Sequence, residues 1–287
     1  MGSGTRSLSN LPGKNHRKPS SSEEIQYWDE LGARWIGMQP DRLWRAHSDA
    51  VNAAVLDAWL PRGPRGRLLK TDLFDEAAGE GLFGTLNSRF RSVIGVDLSE
   101  STAGAARSRT LGHPVTCCDV RFLPFADESF DAVACISTLD HFRTREELIA
   151  GLCELRRVLR RGGHLVLTLD NGAHPIIAVR NMLPFRLLNW LGLVPYFVGV
   201  TCGPGRLRRT LRRAGFDVEA VGAALHCPRM LAVPVCRMFQ RQAGRGSKDT
   251  LLRWLMRFER LSSGPLRFVT GHYVTVKAIK PWHAPAD

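Results

Sequence analysis

No two of the seven cysteines form a C-x-x-C pair. They fall at 117, 118, 135, 153, 202, 227 and 236, in apolar segments, so zinc and thioredoxin-like chemistry find little support and reduced core thiols are expected. A membrane-spanning run is missing as well. The longest uncharged stretch, Leu187 to Gly205, is interrupted by Pro195, Pro204 and four glycines. No apolar core precedes residue 23, so the basic amino terminus does not read as a signal peptide, and a cytoplasmic protein is expected. There is no internal repeat. Acid is also scarce, with 27 Asp and Glu against 40 Lys and Arg, a net charge of +13. That balance suits phosphate-rich partners such as nucleic acid, anionic lipid or a phosphorylated substrate. A GC-rich genome yields the same arginine-rich composition.

What is present is an ordinary globular apolar fraction, 44% of 287 residues, enough for one large domain with trimmings. Residues 1–22 are rich in Ser, Gly and basic residues and read as a disordered tail. Residues 23–62 carry two helical patterns and read as an N-terminal helical cap. From residue 63 strands and helices alternate. "RLLKTDLF", "SVIGVDLS", "PVTCCDV", "FDAVACIST" and "HLVLTLD" read as strands, with helices at "GLFGTLNSRF", "ESTAGAARSRTLG" and "REELIAGLCELRRVLR", the last ended by Gly162–Gly163. Near-continuous apolar strands in βαβα order predict a mostly parallel sheet covered on both faces. The expected fold is an α/β, Rossmann-like, doubly wound, seven-stranded sheet. Its core spans 63–225 and 269–281, with a helical insertion or lid at 226–268 before the last strand, "HYVTVKAIK". In such sheets ligands sit beyond the carboxyl ends of the strands.

Two of those strand ends are acidic. Asp97 closes "VIGVD" and Asp119 closes "VTCCD". A carboxylate ending the second parallel strand can accept from two ribose hydroxyls, although Asp at strand ends also serves as a helix cap. The string "VTCCDVRFLPFADESFDAVACISTLDHF", followed by "ELRRVLRRGGHLVLTLDN", resembles class I S-adenosylmethionine-dependent methyltransferases of the small-molecule group, over roughly residues 66–172. The resemblance implies S-adenosylmethionine as cofactor. It implies that Asp97, with Leu98 beside it, holds the ribose, and that Asp119 and the Val120 amide meet the adenine. It also implies that Ser137, Thr138 and Asp140 end the fourth strand where the sulfonium meets the acceptor.

The glycine-rich loop departs from the family's D-x-G-x-G-x-G. Two registers are open. In one, "DEAAGEG" begins at Asp75 and keeps Gly79 and Gly81; in the other, "LLK" ends the first strand in place of the family's "VLD". Either leaves Asp72, Asp75 or Glu76 near the loop to meet the methionine ammonium, and no metal is called for. Catalysis asks for alignment more than for chemistry, so a base is needed only if the acceptor must lose a proton. His141 and His226 are the candidates for that base, against a solvated loop residue and a packing residue respectively.

The position after the fourth strand, "STLDHF", lacks the N-P-P-Y mark of many nucleic-acid enzymes, and the arginines of "RLRRTLRR" lack interleaved aromatics. Nucleic acid is therefore the lesser reading of the partner. A small, largely apolar or lipid-linked acceptor is the first reading. The apolar stretch 175–199 and "KDTLLRWLMRFERL" form either a lid or a peripheral contact with an anionic membrane. A non-catalytic protein that keeps the fold for binding is the rival class, resting on the altered loop.

Overall fold

The computed structural model describes residues 21–38, 41–61, 66–110, 112–191, 194 and 196–282. Residues 1–20, most of the expected tail, lie outside that set. Seven strands make one sheet: β1 (Arg67–Thr71), β2 (Ser92–Asp97), β3 (Val115–Cys117), β4 (Phe130–Ile136), β5 (Leu159–Asp170), β6 (Asp217–Ala224) and β7 (Tyr273–Ile279). Their spatial order is β3-β2-β1-β4-β5-β7-β6. The first five pair in parallel, while β7 runs antiparallel to both β5 and β6. This is the expected α/β fold.

Both faces of the central strands are buried, which explains their unbroken apolar runs. Leu68, Leu69, Ala132, Val133, Ala134, Val166 and Leu167 have no solvent exposure. Helices are α1 (Ser21–Met38), α2 (Arg42–Trp59), α3 (Phe74–Ala78), α4 (Phe83–Asn87), α5 (Glu100–Arg107), α6 (Arg145–Val158), α7 (Pro175–Met182), α8 (Phe185–Trp190), α9 (Pro204–Arg213), α10 (Arg229–Gln242), α11 (Arg245–Met256) and α12 (Arg267–Thr270). One core joins residues of β4, β5 and β7 to α6 and α9; a second joins β1 and β2 to α2, α3 and α4. A third packs α2 against α10 and α11. The α9 pattern buries Leu207, Thr210 and Leu211 and leaves its five arginines exposed.

Two boundaries differ from the sequence reading. The first strand stops at Thr71, because Asp72 turns into the left-handed region with φ +66° and Phe74 then opens α3. Asp72 Oδ1 accepts from the Phe74 amide at 2.8 Å, a local cap that ends the strand. Farther along, α6 ends at Val158, not at the glycine pair, because Leu159 already pairs with Phe130 in the sheet. Gly162, at φ +72°, allows the strand to bend there.

Candidate functional site

A cavity of about 580 Å³ opens at the carboxyl ends of β1, β2, β4 and β5, the side of the sheet where such folds bind ligands. The strand ends supply Thr71, Asp72, Asp97, Ser137, Thr138 and Asp170. At two of them the backbone is forced into an uncommon conformation, Asp72 at φ +66° and Ser137 at φ +49°. The Thr71 and Thr138 hydroxyls meet at 2.6 Å across β1 and β4, and the Ser137 amide donates to Thr168 Oγ1 at 2.9 Å, which fixes both turns.

Around the end of β1 at Thr71, Lys70, Asp72, Phe74 and Glu76 occupy the positions that the strand-end register gives to an acid and three glycines. Gly79 and Gly81 are not at the cavity. Gly79 terminates α3, and Gly81, at φ +69°, packs on the Glu76 side chain. Each replaced residue has a structural part. Lys70 Nζ, fully buried, donates to the Asp72 carbonyl and to Glu76 Oε2 at 2.8 Å. Glu76 Oε1 accepts from the Leu82 amide at 2.8 Å. The Phe74 ring lies against Trp35, with the Arg45 guanidinium 4.0 Å from its centre. Side-chain polar bonds do the bracing that bare backbone does in a glycine loop.

Asp97 Oδ2 accepts from the Leu73 amide and Oδ1 from the Ser99 amide, both at 2.8 Å. Each oxygen keeps acceptor capacity, and the residue faces the cavity. Burial pushes the Asp97 carboxyl above the ordinary range although those two amides pull the other way. Asp72 is pushed well above it, first by burial and then by the charge of Asp97. Asp72, Asp75 and Asp97 line this corner beside Arg45, whose NH1 lies 3.8 Å from Asp75. The corner therefore carries an excess of carboxylate.

Leu98, Val120 and Ser137 line the cavity as expected residues of the site, and so does Asp119. Asp119 is already occupied. Arg121 reaches its two oxygens through Nε at 3.0 and 2.8 Å and through NH2 at 2.5 Å, and the Arg121 amide adds a fourth bond at 2.8 Å.

The two histidines part company. His141 lines the cavity, its ring 4.5 Å from Trp28 and its Nδ1 3.2 Å from the Phe197 carbonyl. His226 does not reach the cavity. Its ring bonds Thr270 Oγ1 at 2.8 Å and the Ala223 carbonyl at 3.2 Å, so it packs the base of the 226–268 segment. The residue next to His141 is a stronger acid–base candidate. Asp140 is 3% exposed, its Oδ1 has no hydrogen-bond partner among the described residues, and burial raises its carboxyl to about 6. The sequence placed Asp140 at the methyl-transfer point without giving it a proton role. A polar group on the β5 side was not foreseen at all: Asp170, Arg180, Arg229, His272 and Tyr273 converge there from four separate segments.

Helix α1 closes the cavity from above. Trp28, Leu31, Gly32 and Trp35 line it. Asp29 Oδ1 accepts from Ser99 Oγ at 2.7 Å and the Ser101 amide at 2.8 Å, tying α1 to the amino end of α5. A Cβ added at Gly32 would lie 2.5 Å from Thr102 Oγ1, so the helices touch through bare backbone. Removing residues 1–39 is expected to weaken nucleoside binding by more than about tenfold, on the order of one lost wall of the pocket. Removing 1–20 is expected to leave it unchanged. Equal affinities for the two truncations, measured by calorimetry, would exclude α1 as a wall.

Residues 75–167 match the family model described as a methyltransferase domain. The probable tRNA methyltransferase 9B of Mus musculus is 37% identical over 93 residues, 32% of this chain and 20% of that protein. The ubiquinone/menaquinone biosynthesis C-methyltransferase UbiE of Cupriavidus taiwanensis is 34% identical over 101 residues, 33% of this chain and 40% of that protein. The chain thus spans between a fifth and two-fifths of these relatives. Among solved structures, the (4+2)-cyclase SpnF superposes with a TM-score of 0.58 at 18% identity, over 92% of this chain and 97% of that one. The sheet order, the acidic strand ends on the cavity and the match over the central strands agree: residues 75–167 carry a methyltransferase domain.

Proposed function

We propose that the protein transfers a methyl group from S-adenosylmethionine to a small, largely apolar acceptor. The residues present suit the cofactor. Asp97 offers acceptor capacity for ribose hydroxyls, and Leu98 and Val120 offer apolar walls for a purine. The carboxylate excess of Asp72, Asp75 and Asp97 suits a ligand whose methionine end bears an ammonium and a sulfonium. Because Asp119 is filled by Arg121, the Val120 backbone is the better contact for the purine edge. The cavity volume falls within the roughly 300–1,000 Å³ of small-molecule pockets.

The cofactor supplies an already activated methyl group, so this chain has to bind, align and exclude water. Trp28, Trp35 and Trp44 close the cavity against solvent. Asp140, whose carboxyl burial raises toward neutrality, to about 6, can accept a proton from an acceptor hydroxyl when ionised. His141 Nε2 lies 3.9 Å from Asp140 Oδ1, beyond direct hydrogen-bond reach.

The observation that carries the acceptor class is the wall facing the cofactor corner. Ile176, Val179, Leu183 and Met230 line the cavity and are also exposed, between 40% and 59%. The same three-helix rim, α7, α8 and α10, exposes Met182, Trp190 and Leu231 at 70–83%. An apolar path thus leads from the surface to the strand ends, as an apolar or lipid-linked acceptor requires. It also suits a lid or a peripheral contact with an anionic membrane; no helix of the described residues is long and apolar enough to cross one. The α9 arginines do not line the cavity. Incubation of the protein with cell extract and S-adenosylmethionine labelled in its methyl group separates the readings. Label is expected in the solvent-extractable fraction. Label confined to RNA, or in neither fraction, contradicts the proposal.

A further inference from the structure

Arg229, the first residue of α10, carries its guanidinium into the cavity with no carboxylate within 4.0 Å among the described residues. The nearest acid, Asp170, is already engaged: its Oδ2 accepts from Arg180 NH1 at 2.6 Å. The other acid on this side, Asp140, has its closest basic group in His141, at 3.9 Å. Arg229 NH1 instead meets His272 Nε2 at 3.1 Å. His272 is kept neutral, its ring pushed down to about 3 first by burial, so it offers a lone pair and no charge. The Tyr196 hydroxyl is the other polar partner, and the Trp44 ring lies 5.9 Å away. Arginine has five N–H donors, and these neutral partners use few of them.

A buried guanidinium with no carboxylate in direct contact is costly to keep, and recognition of an anionic group is a use that suits its free donors. The cavity is divided electrically. Asp72, Asp75 and Asp97 outnumber Arg45 at the β1 and β2 ends. At the β5 side Arg180 is paired with Asp170, which leaves Arg229, next to the apolar wall of α7 and α10, as the cation without a direct carboxylate partner among the described residues. We infer that the acceptor is an apolar molecule bearing one anionic group, a carboxylate or a phosphate, and that Arg229 binds that group with Tyr196 and His272 beside it. This rests on the methyl-transfer reading of the same cavity. It adds that the acceptor enters with its anion at Arg229 and its apolar body along Val179 and Met230. Arg229 thereby selects among apolar compounds that the walls alone do not distinguish.

The test uses the full chain saturated with S-adenosylhomocysteine and titrated calorimetrically with dodecanoate, dodecyl phosphate and dodecanol below their micellar concentrations. At least one of the two anions is expected to bind about tenfold or more tightly than dodecanol, the worth of a charge-assisted contact. Which anion wins identifies the group. Arg229→Gln is expected to reduce that preference to near unity, and Arg229→Lys to keep part of it. Equal binding of dodecanol and both anions to the wild type overturns the inference whether or not the variants fold. So does an anion preference that survives in Arg229→Gln while S-adenosylhomocysteine still binds. Failure of S-adenosylhomocysteine to bind the wild type would strike the methyl-transfer reading instead.

Discussion

Lys70→Met is expected to destabilise the protein by roughly 3–5 kcal/mol, the cost of leaving one partner of a buried ion pair alone. Lys70 and Glu76 are both fully buried and 2.8 Å apart, and Lys70 is held well above its ordinary range by the carboxylates around it. The raised folded value means the pair's stability is fully present at neutral pH and is lost only as pH rises beyond the ordinary lysine range. In the single variant the sign reverses. An unpaired buried Glu76 favours its protonated form, so the deficit should shrink as pH falls. The double variant Lys70→Met/Glu76→Gln should recover most of the loss, because glutamine still accepts from the Leu82 amide that Glu76 Oε1 now serves. Urea midpoints for the two variants decide it. A single variant as stable as the wild type would mean the pair does not brace the turn.

That pair also explains what the sequence hid. The strands were legible because their central residues are buried on both faces, and Asp97 was legible because a carboxylate ended an apolar strand. The loop was not. Gly79 and Gly81 drew the reading toward a glycine register, whereas the turn that matters is made by Asp72, a residue type that tolerates the left-handed region. Its stabilisation comes from contacts that spacing alone does not reveal, Lys70 to Glu76 and the Leu73 amide to Asp97. His226 looked like a site residue because it follows a strand; the structure turns it toward Thr270. The Arg229 cluster draws on β5, α7, α10 and the start of β7, which only the fold brings together. The carboxyl-terminal limit of α6 was missed because the pairing of Leu159 with Phe130, at the start of β5 and β4, outweighs the helical pattern of "LRR".

The second large effect belongs to Asp97. Asp97→Ala removes the partners of the Leu73 and Ser99 amides and, on the proposed reading of the cavity, the acceptor for two ribose hydroxyls. Removal of the ribose contacts costs on the order of 2–4 kcal/mol, so affinity for S-adenosylmethionine should fall by tens- to hundreds-fold. Asp97→Asn keeps acceptors for one or both amides and isolates the loss of charge. Because burial raises both Asp97 and Asp72, a cationic ligand that draws them back to the ionised form should bind more tightly as pH rises through their titration. Methylthioadenosine, which lacks the ammonium and the sulfonium, should show a smaller pH dependence. A cofactor affinity that falls with rising pH would contradict the role given to the acidic corner.

The measurement that bears most directly on the cavity at the strand ends is a calorimetric titration of the wild-type protein and Asp97→Ala with S-adenosylmethionine. The structure predicts saturable binding to the wild type at one site per chain, strongly weakened in the variant. No heat of binding to the wild type at millimolar cofactor, or equal affinity in the two proteins, would contradict the assignment of this cavity to the cofactor.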